Sequence, residues 1–257
     1  MFFRMRRSLP AEIRSALAAH GYAYLPAFSP DPSPASLLAL ARALGPIYLP
    51  AGVDLNSPYL ETHPTADASY LEPFDLPRGI GWHNDFATHL ERPAVSLAFL
   101  AQADPAGPAR GAWRVASCGL VLDYLLGTTE GSSTVRFLRD NDVPFSFTGE
   151  GPPAFFRVLE QRGLSSGRRG LRFYGRAIRD GARLAFGEVP DEVEHAIDAL
   201  ERAADAVGRV IEAPAGALLV TDNWQALHDR LPQSVGPGQL LRRSLLCFVE
   251  RLEEEHD

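Results

Sequence analysis

The sequence predicts a mainly β core with flanking α-helices. Short apolar runs of strand length recur at 22–25, 94–101, 210–213, 216–222 and 239–252, divided by Gly, Pro and Asp turns. Helical spacing of apolar residues is concentrated in two N-terminal segments, a short one after Ser117 and a long one ending at Val207. A third observation is length: at 257 residues a β-rich chain need not split, and no repeat, low-complexity tract or linker divides it, so 1–257 reads as one domain.

Taken in order, Ser8-Leu9-Pro10-Ala11-Glu12 has the form of a helix start, with Ser8 as N-cap and a proline and an acid in the first turn. Ile13, Leu17 and Ala18 form its apolar stripe, and Gly21 supplies the stop before a strand at 22–25. A second helix opens at Ser33-Pro34-Ala35, carries Leu37, Leu38, Leu40, Ala41 and Leu44, and ends against Gly45-Pro46. Both helices are expected to be a packing layer. Residues 48–78 are rich in Pro, Asp, Tyr and His with little periodicity, the composition of a functional or mobile loop.

Residues 80–86 and 94–101 are then expected as strands, Asp104-Pro105-Ala106-Gly107-Pro108 as a turn and 117–126 as a short helix. The runs 135–147 and 171–186 alternate and are broken by Gly, Asp-Gly and Pro-Pro, which predicts hairpins. Arg179-Asp180-Gly181-Ala182-Arg183 is the clearest hairpin turn. The strongest helix is 190–207, where Val193, Ala196, Ile197, Leu200, Ala204 and Val207 recur at helical spacing.

Charge and composition exclude several functions. A net charge of −7 argues against nucleic acid or an anionic membrane as partner and leaves a small molecule. Every basic side chain is arginine, so no amine is available for Schiff-base chemistry. Cys118 and Cys247 lie in apolar runs without metal or redox spacing, as buried thiols of a reducing cytoplasm would. The first seven residues carry charge and lack the apolar core of a signal peptide. No run reaches the ~18 apolar residues that a membrane span needs. A soluble cytoplasmic protein is expected.

The chemistry centres on Gly81-Trp82-His83-Asn84-Asp85-Phe86. On a strand, period-2 alternation places His83 and Asp85 on one face and Asn84 on the other. A distant His228, following the apolar 217–220 run and the polar Asp222-Asn223, can complete a set of two histidines and one carboxylate. With open positions, that set is the ligand arrangement of non-haem Fe(II) oxygenases. His-x-Asp alone is common by chance, and each histidine alone also fits a satisfied surface or core residue. Further on, Arg242 and Arg243 interrupt an apolar strand. A buried guanidinium without an anion costs several kcal/mol, so an inward arginine is suited to clamping a carboxylate. A structural ion pair with a nearby acid fits the pair equally well.

Together these pieces resemble the taurine dioxygenase and clavaminate synthase-like branch of Fe(II)/2-oxoglutarate-dependent oxygenases. The resemblance spans most of the chain. It rests on Gly21-Tyr22-Ala23-Tyr24-Leu25, Leu40-Ala41-Arg42-Ala43-Leu44-Gly45, Trp82-His83-Asn84-Asp85 with Arg92-Pro93, and 216–223 running into Leu227-His228-Asp229-Arg230. It implies a double-stranded β-helix, a jelly-roll or cupin-like core, with the metal at the barrel mouth. It also implies Fe(II), 2-oxoglutarate and O₂ as the cofactor and co-substrates, and succinate and CO₂ as co-products of hydroxylation, desaturation or cyclisation at an unactivated C–H bond.

Carried over by position, His83, Asp85 and His228 would bind iron, and Arg243 the distal carboxylate of 2-oxoglutarate, with Arg242 the alternative if the register differs. Many relatives place a Gly-Gly-x-Thr segment after the first ligands. Here Arg110-Gly111-Ala112-Trp113 puts Trp113 where that threonine would contact the co-substrate. The presence of Asp85 disfavours halogenation, since related halogenases have a small residue there.

Other candidates are weaker. His63 and His89 are possible substrate contacts. Tyr59, Tyr70 and Phe74 fit loop anchors better than pocket walls. His20, His195 and His256 are expected on the surface. Arg162, Arg168, Arg169, Arg172, Arg176, Arg179 and Arg183 form a positive stretch, read as a solvated hairpin face balanced by the acidic 188–205 helix or as a receiver of an anionic partner. Substrate selectivity is expected in 48–78 and 128–183 as lids or inserts, and the substrate as an amino acid or natural-product intermediate. Two rival functions use the same residues: a metal-dependent hydrolase, and a jelly-roll binding protein without turnover.

Overall fold

Two antiparallel sheets organise the chain in a computed structural model that describes residues 8–62, 73–146, 151–160, 170–236 and 239–253. The first half holds helix α1 (Leu9–His20), strand β1 (Tyr22–Leu25), helix α2 (Ala35–Leu44), the short strands β2 (Ile47–Tyr48) and β3 (Leu60–Glu61), and β4 (Val95–Gln102). Then come β5 (Trp113–Ser117), α3 (Cys118–Leu126), α4 (Thr129–Asp140) and the pairs β6 (Asp142–Phe145) with β7 (Ala154–Arg157) and β8 (Leu159–Glu160) with β9 (Gly170–Leu171). The last part holds α5 (Gly175–Phe186), α6 (Asp191–Val207), β10 (Arg209–Ile211), β11 (Leu218–Asp222), β12 (Ala226–Arg230), β13 (Val235–Gly236), β14 (Gln239–Leu240) and β15 (Arg243–Val249).

The large sheet runs β1-β11-β4-β15-β2, with β3 also on β15, and the small sheet runs β10-β5-β12. Alternation decides what each face meets. Leu97, Phe99, Leu218, Val220, Leu245, Cys247 and Val249 turn outward onto Ile13, Leu17, Leu37, Leu40 and Leu44 of α1 and α2. Each such buried side chain contributes about 1.5–3 kcal/mol. From the small sheet, Ala116 and Leu227 turn outward onto α3 and α6. Leu100 and Leu219 of the large sheet meet Trp113 of the small one in a separate cluster between them. The expected mainly β core with flanking helices is the fold observed.

Helix α1 ends as its sequence predicts. Gly21 adopts φ 82° and its N–H closes on the Leu17 carbonyl, while a Cβ there would lie 2.6 Å from the Gln225 carbonyl oxygen. Ser8 is a weaker start than expected, being helical itself and making no side-chain cap bond.

Three local expectations are corrected. Residues 175–186 form α5 and not a hairpin: Ala177, Ile178 and Ala182 are buried at helical spacing, and Gly181 lies where a Cβ would come 2.5 Å from the Pro144 carbonyl. Close packing, rather than a turn, explains that glycine. Residues 129–140, which take in 135–140 of the expected alternating run, are α4, capped by Thr128, whose side chain accepts the Gly131 N–H at 3.0 Å. Residues 80–86 are not a continuous strand: only His83 forms bridges, to Tyr174 and His228, and Phe86 has a φ of 57°.

Candidate metal centre

The three predicted ligands converge although the first two lie outside a regular strand. His83 and His228 exchange backbone hydrogen bonds at 2.9 and 3.0 Å, so their rings leave adjacent backbones side by side, with centroids 4.3 Å apart. Asp85 stands between their tips: His83 Nε2 is 3.8 Å from Oδ1 and His228 Nε2 is 3.3 Å from Oδ2. One donor atom from each residue lies within 4.8 Å of the others. His83 is buried, whereas Asp85 and His228 are half-buried, so the cluster keeps an accessible side.

The electrostatics suit a cation. Burial and then the neighbouring His228 push His83 down to about 4, which leaves its ring neutral and able to donate a lone pair at neutral pH. Burial opposes ionisation of Asp85, but His228, His83 and the Ser96 hydroxyl together hold its carboxyl well below the usual range. Two imidazoles and a carboxylate with an open side fit a divalent transition metal.

Two asparagines hold the ligand segment where strand pairing is lost. Asn223, fully buried, accepts the Asp85 N–H at 2.8 Å and donates to the carbonyls of Asp85 and Pro93 at 2.8 and 3.1 Å. Asn84 accepts from the Phe173 N–H at 2.9 Å and donates to the Ala226 carbonyl at 2.8 Å. These bonds replace a missing ladder and satisfy buried backbone groups. Along the chain Asn223 is a turn residue and Asn84 points away from the ligands; both stand within the segments that carry the family resemblance, but their bracing role depends on distant partners. Phe86, strained beside Asp85, is wedged by edge contacts with Phe248, Tyr48 and His89 at 4.9, 5.4 and 5.2 Å.

The two arginines at the start of β15 have different surroundings. The Arg243 guanidinium is partly exposed and ion-paired with Glu61. Arg242, just before the strand, is buried, 2% exposed, with its guanidinium 5.6 Å from the Trp113 ring. The enclosed arginine is therefore the one held as the alternative, and Arg243 lies nearer the surface. The register shift between Arg243 and Ser244, where β15 meets β4, is not visible in the sequence.

Arg242 donates to Ser244 Oγ at 2.5 Å, and its Nε and Nη2 have no hydrogen-bond partner among the described residues. Burial and then the like charge of Arg230 push it down to about 9, so it stays cationic at neutral pH. Trp113 is directly opposite Arg230 in the β5–β12 register and packs with Leu100 and Leu219 between the sheets. It offers Arg242 an aromatic face where relatives would offer a hydroxyl.

A cavity of about 260 Å³ is lined by Arg78, Gly81, Tyr174, Arg176, Arg179 and Glu201 among others and, although Trp82 also lines it, by none of the three ligands. Tyr174 pairs with His83 through backbone and ring, with centroids 5.3 Å apart. A larger groove of about 610 Å³ lies between the end of α1, α3 and β10 and contains none of the three ligands.

The remaining candidates are not gathered at the centre. His20 and His195 are exposed. Tyr59 packs against the outer cluster of the large sheet, as a loop anchor would, and His89 stacks on Phe86. Arg172 is buried on Glu160, Arg176 and Arg183 face Asp180 within α5, and among the described arginines of the stretch Arg179 pairs with the acidic helix, at Glu194, Asp198 and Glu201 of α6. His63, Tyr70, Arg162, Arg168, Arg169 and His256 lie outside the described residues.

The family model described as "Taurine catabolism dioxygenase TauD, TfdA family" matches residues 4–245. No curated protein matches the chain by sequence. Among solved structures, asparagine oxygenase in complex with Fe(II), 3-hydroxyasparagine and succinate superposes with a TM-score of 0.69 at 19% identity, covering 95% of this chain and 79% of that one. The non-haem iron oxygenase OrfP with Fe and α-ketoglutaric acid gives 0.68 at 18%, covering 96% and 81%. A taurine dioxygenase from Burkholderia xenovorans gives 0.66 at 18%, covering 96% and 83%. The shared fold is the double-stranded β-helix expected from the sequence.

Proposed function

As a member of the TauD/TfdA dioxygenase family, the chain is a non-haem Fe(II)- and 2-oxoglutarate-dependent oxygenase, and we propose that it oxidises a small anionic substrate of the amino-acid kind. The observation that carries the metal assignment is the convergence of His83, Asp85 and His228 within 4.8 Å, with one side accessible. These three residues hold the iron. When bound, the iron couples oxidative decarboxylation of 2-oxoglutarate by O₂ to oxidation of a substrate C–H bond, with release of succinate and CO₂.

The protein's own work is positioning. Arg242, buried without a carboxylate partner, takes the distal carboxylate of 2-oxoglutarate through its free Nε and Nη2, and Trp113 and Ser244 fix its plane. This assignment moves the co-substrate contact from Arg243 to its neighbour. The substrate is assigned to the cavity lined by Tyr174, the residue that packs on His83, with Arg78 and Arg176 supplying positive charge for an acidic group. The asparagine in one neighbour and the dihydroxy-arginine in another support an amino-acid-like substrate. Residues 1–257 act as one oxygenase domain, and the two buried free thiols are consistent with a cytoplasmic setting. No helix among the described residues is long and apolar enough to cross a membrane. A hydrolase on the same ligands leaves the unpaired Arg242 without a purpose.

The test is an anaerobic titration of the metal-free protein with Fe(II), then 2-oxoglutarate, followed optically. A saturable visible band requiring both, and lost in His228→Ala, is expected; tight metal binding with no band would overturn the reading. Succinate formation in the presence of a panel of amino acids then identifies the substrate. Arg176→Ala should raise KM for it more than it lowers kcat.

A further inference from the structure

We propose that Asp229 is a positioning residue for the metal centre, one that fixes the orientation and tautomer of His83 by way of Gly81. This inference rests on the assignment of His83 as a metal ligand. His228 and Asp229 are neighbours on β12, so they project to opposite faces of the small sheet: His228 to the interior with the ligands, Asp229 to the helix side. Asp229 is nevertheless buried, 2% exposed, and both of its oxygens are committed.

Segment 80–84 runs along the free edge of β12 and pairs with it at Ile80, whose N–H reaches the Arg230 carbonyl at 3.2 Å, and at His83. Between these points the segment departs from strand geometry, with Gly81 at φ 93°. The Gly81 N–H goes to Asp229 Oδ1 at 2.8 Å. Its carbonyl turns back to His83 Nδ1, also at 2.8 Å. A carbonyl only accepts, so Nδ1 carries the proton and Nε2, the nitrogen facing Asp85, is left with its lone pair. Asp229 thereby anchors the one residue whose carbonyl selects the ligand tautomer.

The anchor is itself held. Arg114 donates to Asp229 Oδ2 from Nε and Nη2 at 2.8 and 2.7 Å. Arg114 also reaches Asp205 of α6 at 2.6 Å and lies over the Trp82 ring at 4.5 Å, and the Trp82 indole N–H donates to the same carboxylate oxygen at 2.8 Å. A run of contacts thus leads from α6 through Asp205, Arg114, Asp229 and Gly81 to His83. His228, by contrast, has a buried Nδ1 with no partner among the described residues. One ligand ring is braced from outside the barrel and the other is not.

Asp229→Asn tests this with shape preserved. An amide can present its oxygen to Arg114 or to Gly81 but not to both, and the charged arginine takes it. That turns the amide NH₂ toward the Gly81 N–H. Co(II) affinity, read from its ligand-field bands under anaerobic conditions, should fall roughly 10–100-fold, the range for losing an outer partner of a ligating histidine. Adding Arg114→Met frees the amide oxygen for Gly81 and should restore most of the affinity and the wild-type band shape. Affinity of Asp229→Asn within threefold of wild type would overturn the proposal, as would a loss that the second substitution does not recover.

A readout on the wild type needs no variant to fold. In the Zn(II)-loaded protein, ¹⁵N shifts should show His83 protonated on Nδ1, and the Gly81 amide should exchange slowly; an Nε2-protonated ring or a fast amide would overturn it. Failure of the wild type to bind metal at all would instead sink the metal-centre reading itself.

Discussion

Arg92 with Arg172 on one side of the molecule, and Arg242 on the other, are equally buried cations in opposite circumstances. The first two share the carboxylate of Glu160, at 3.1 Å from Arg92 and 2.8 Å from Arg172. Arg92 also stacks 3.7 Å over Trp224, and Arg172 donates to the carbonyls of Ala87, His89 and Leu90, the loop that follows the metal ligand Asp85. Arg242 has a hydroxyl and an aromatic face but, among the described residues, no carboxylate in hydrogen-bonding contact. Burial pushes both Arg92 and Arg242 down to about 9, so neither escapes its charge at neutral pH. A buried charge costs several kcal/mol unless something offsets it. At the first site the protein offsets the cost internally and ties the 87–90 loop to Arg172. At the second no carboxylate among the described residues offsets it, and the proposed 2-oxoglutarate contact would supply that anion.

That contrast can be broken by substitution. The largest effect belongs to Glu160→Ala, which leaves two guanidinium groups without their anion. Chemical denaturation should show a loss of about 3–5 kcal/mol. If the loss is under about 1 kcal/mol, then Glu160 is no more than a surface partner.

Arg242→Met should behave in the reverse way. Removing an unpaired buried cation should leave the stability of the metal-free protein unchanged or raise it, while 2-oxoglutarate affinity falls by about 2–5 kcal/mol in an anaerobic titration. Destabilisation with unchanged affinity would make Arg242 structural.

A smaller effect is expected from acid. Burial pushes His83 down to about 4 in the folded protein from the ordinary histidine value of 6.5, so between those values only the unfolded chain takes up the proton. Metal-free stability should therefore be lost as pH falls from about 6.5 toward about 4, and His83→Gln should flatten that part of the profile.

Arg243→Ala should do least. Its ion pair with Glu61 is partly exposed, so a stability change within about 1 kcal/mol and an unaltered 2-oxoglutarate affinity are expected. A large loss of affinity would return the co-substrate contact to Arg243.

Much of this protein was fixed locally. Residue type and order determined the ligand trio, because few side chains can hold a metal and leave it open, and His83, Asp85 and His228 are spaced for that task. Alternation and caps likewise determined β1, β4, α1, α2 and α6, where apolar residues recur at the period of the element they form. Other features depended on distant partners. Arg179-Asp180-Gly181 satisfies a hairpin turn by itself and became helix because Gly181 admits the Pro144 carbonyl and Arg179 finds three acids on α6. Adjacent Arg242 and Arg243 were indistinguishable until folding enclosed the first and set the second against Glu61 nearer the surface. The ligand segment holds its geometry without being a strand, because Asn223, Asn84 and Asp229 supply from afar the hydrogen bonds that a ladder would have made. Side-chain chemistry can be read along a chain, but which face a side chain occupies and what meets it there are set only when the sheets close.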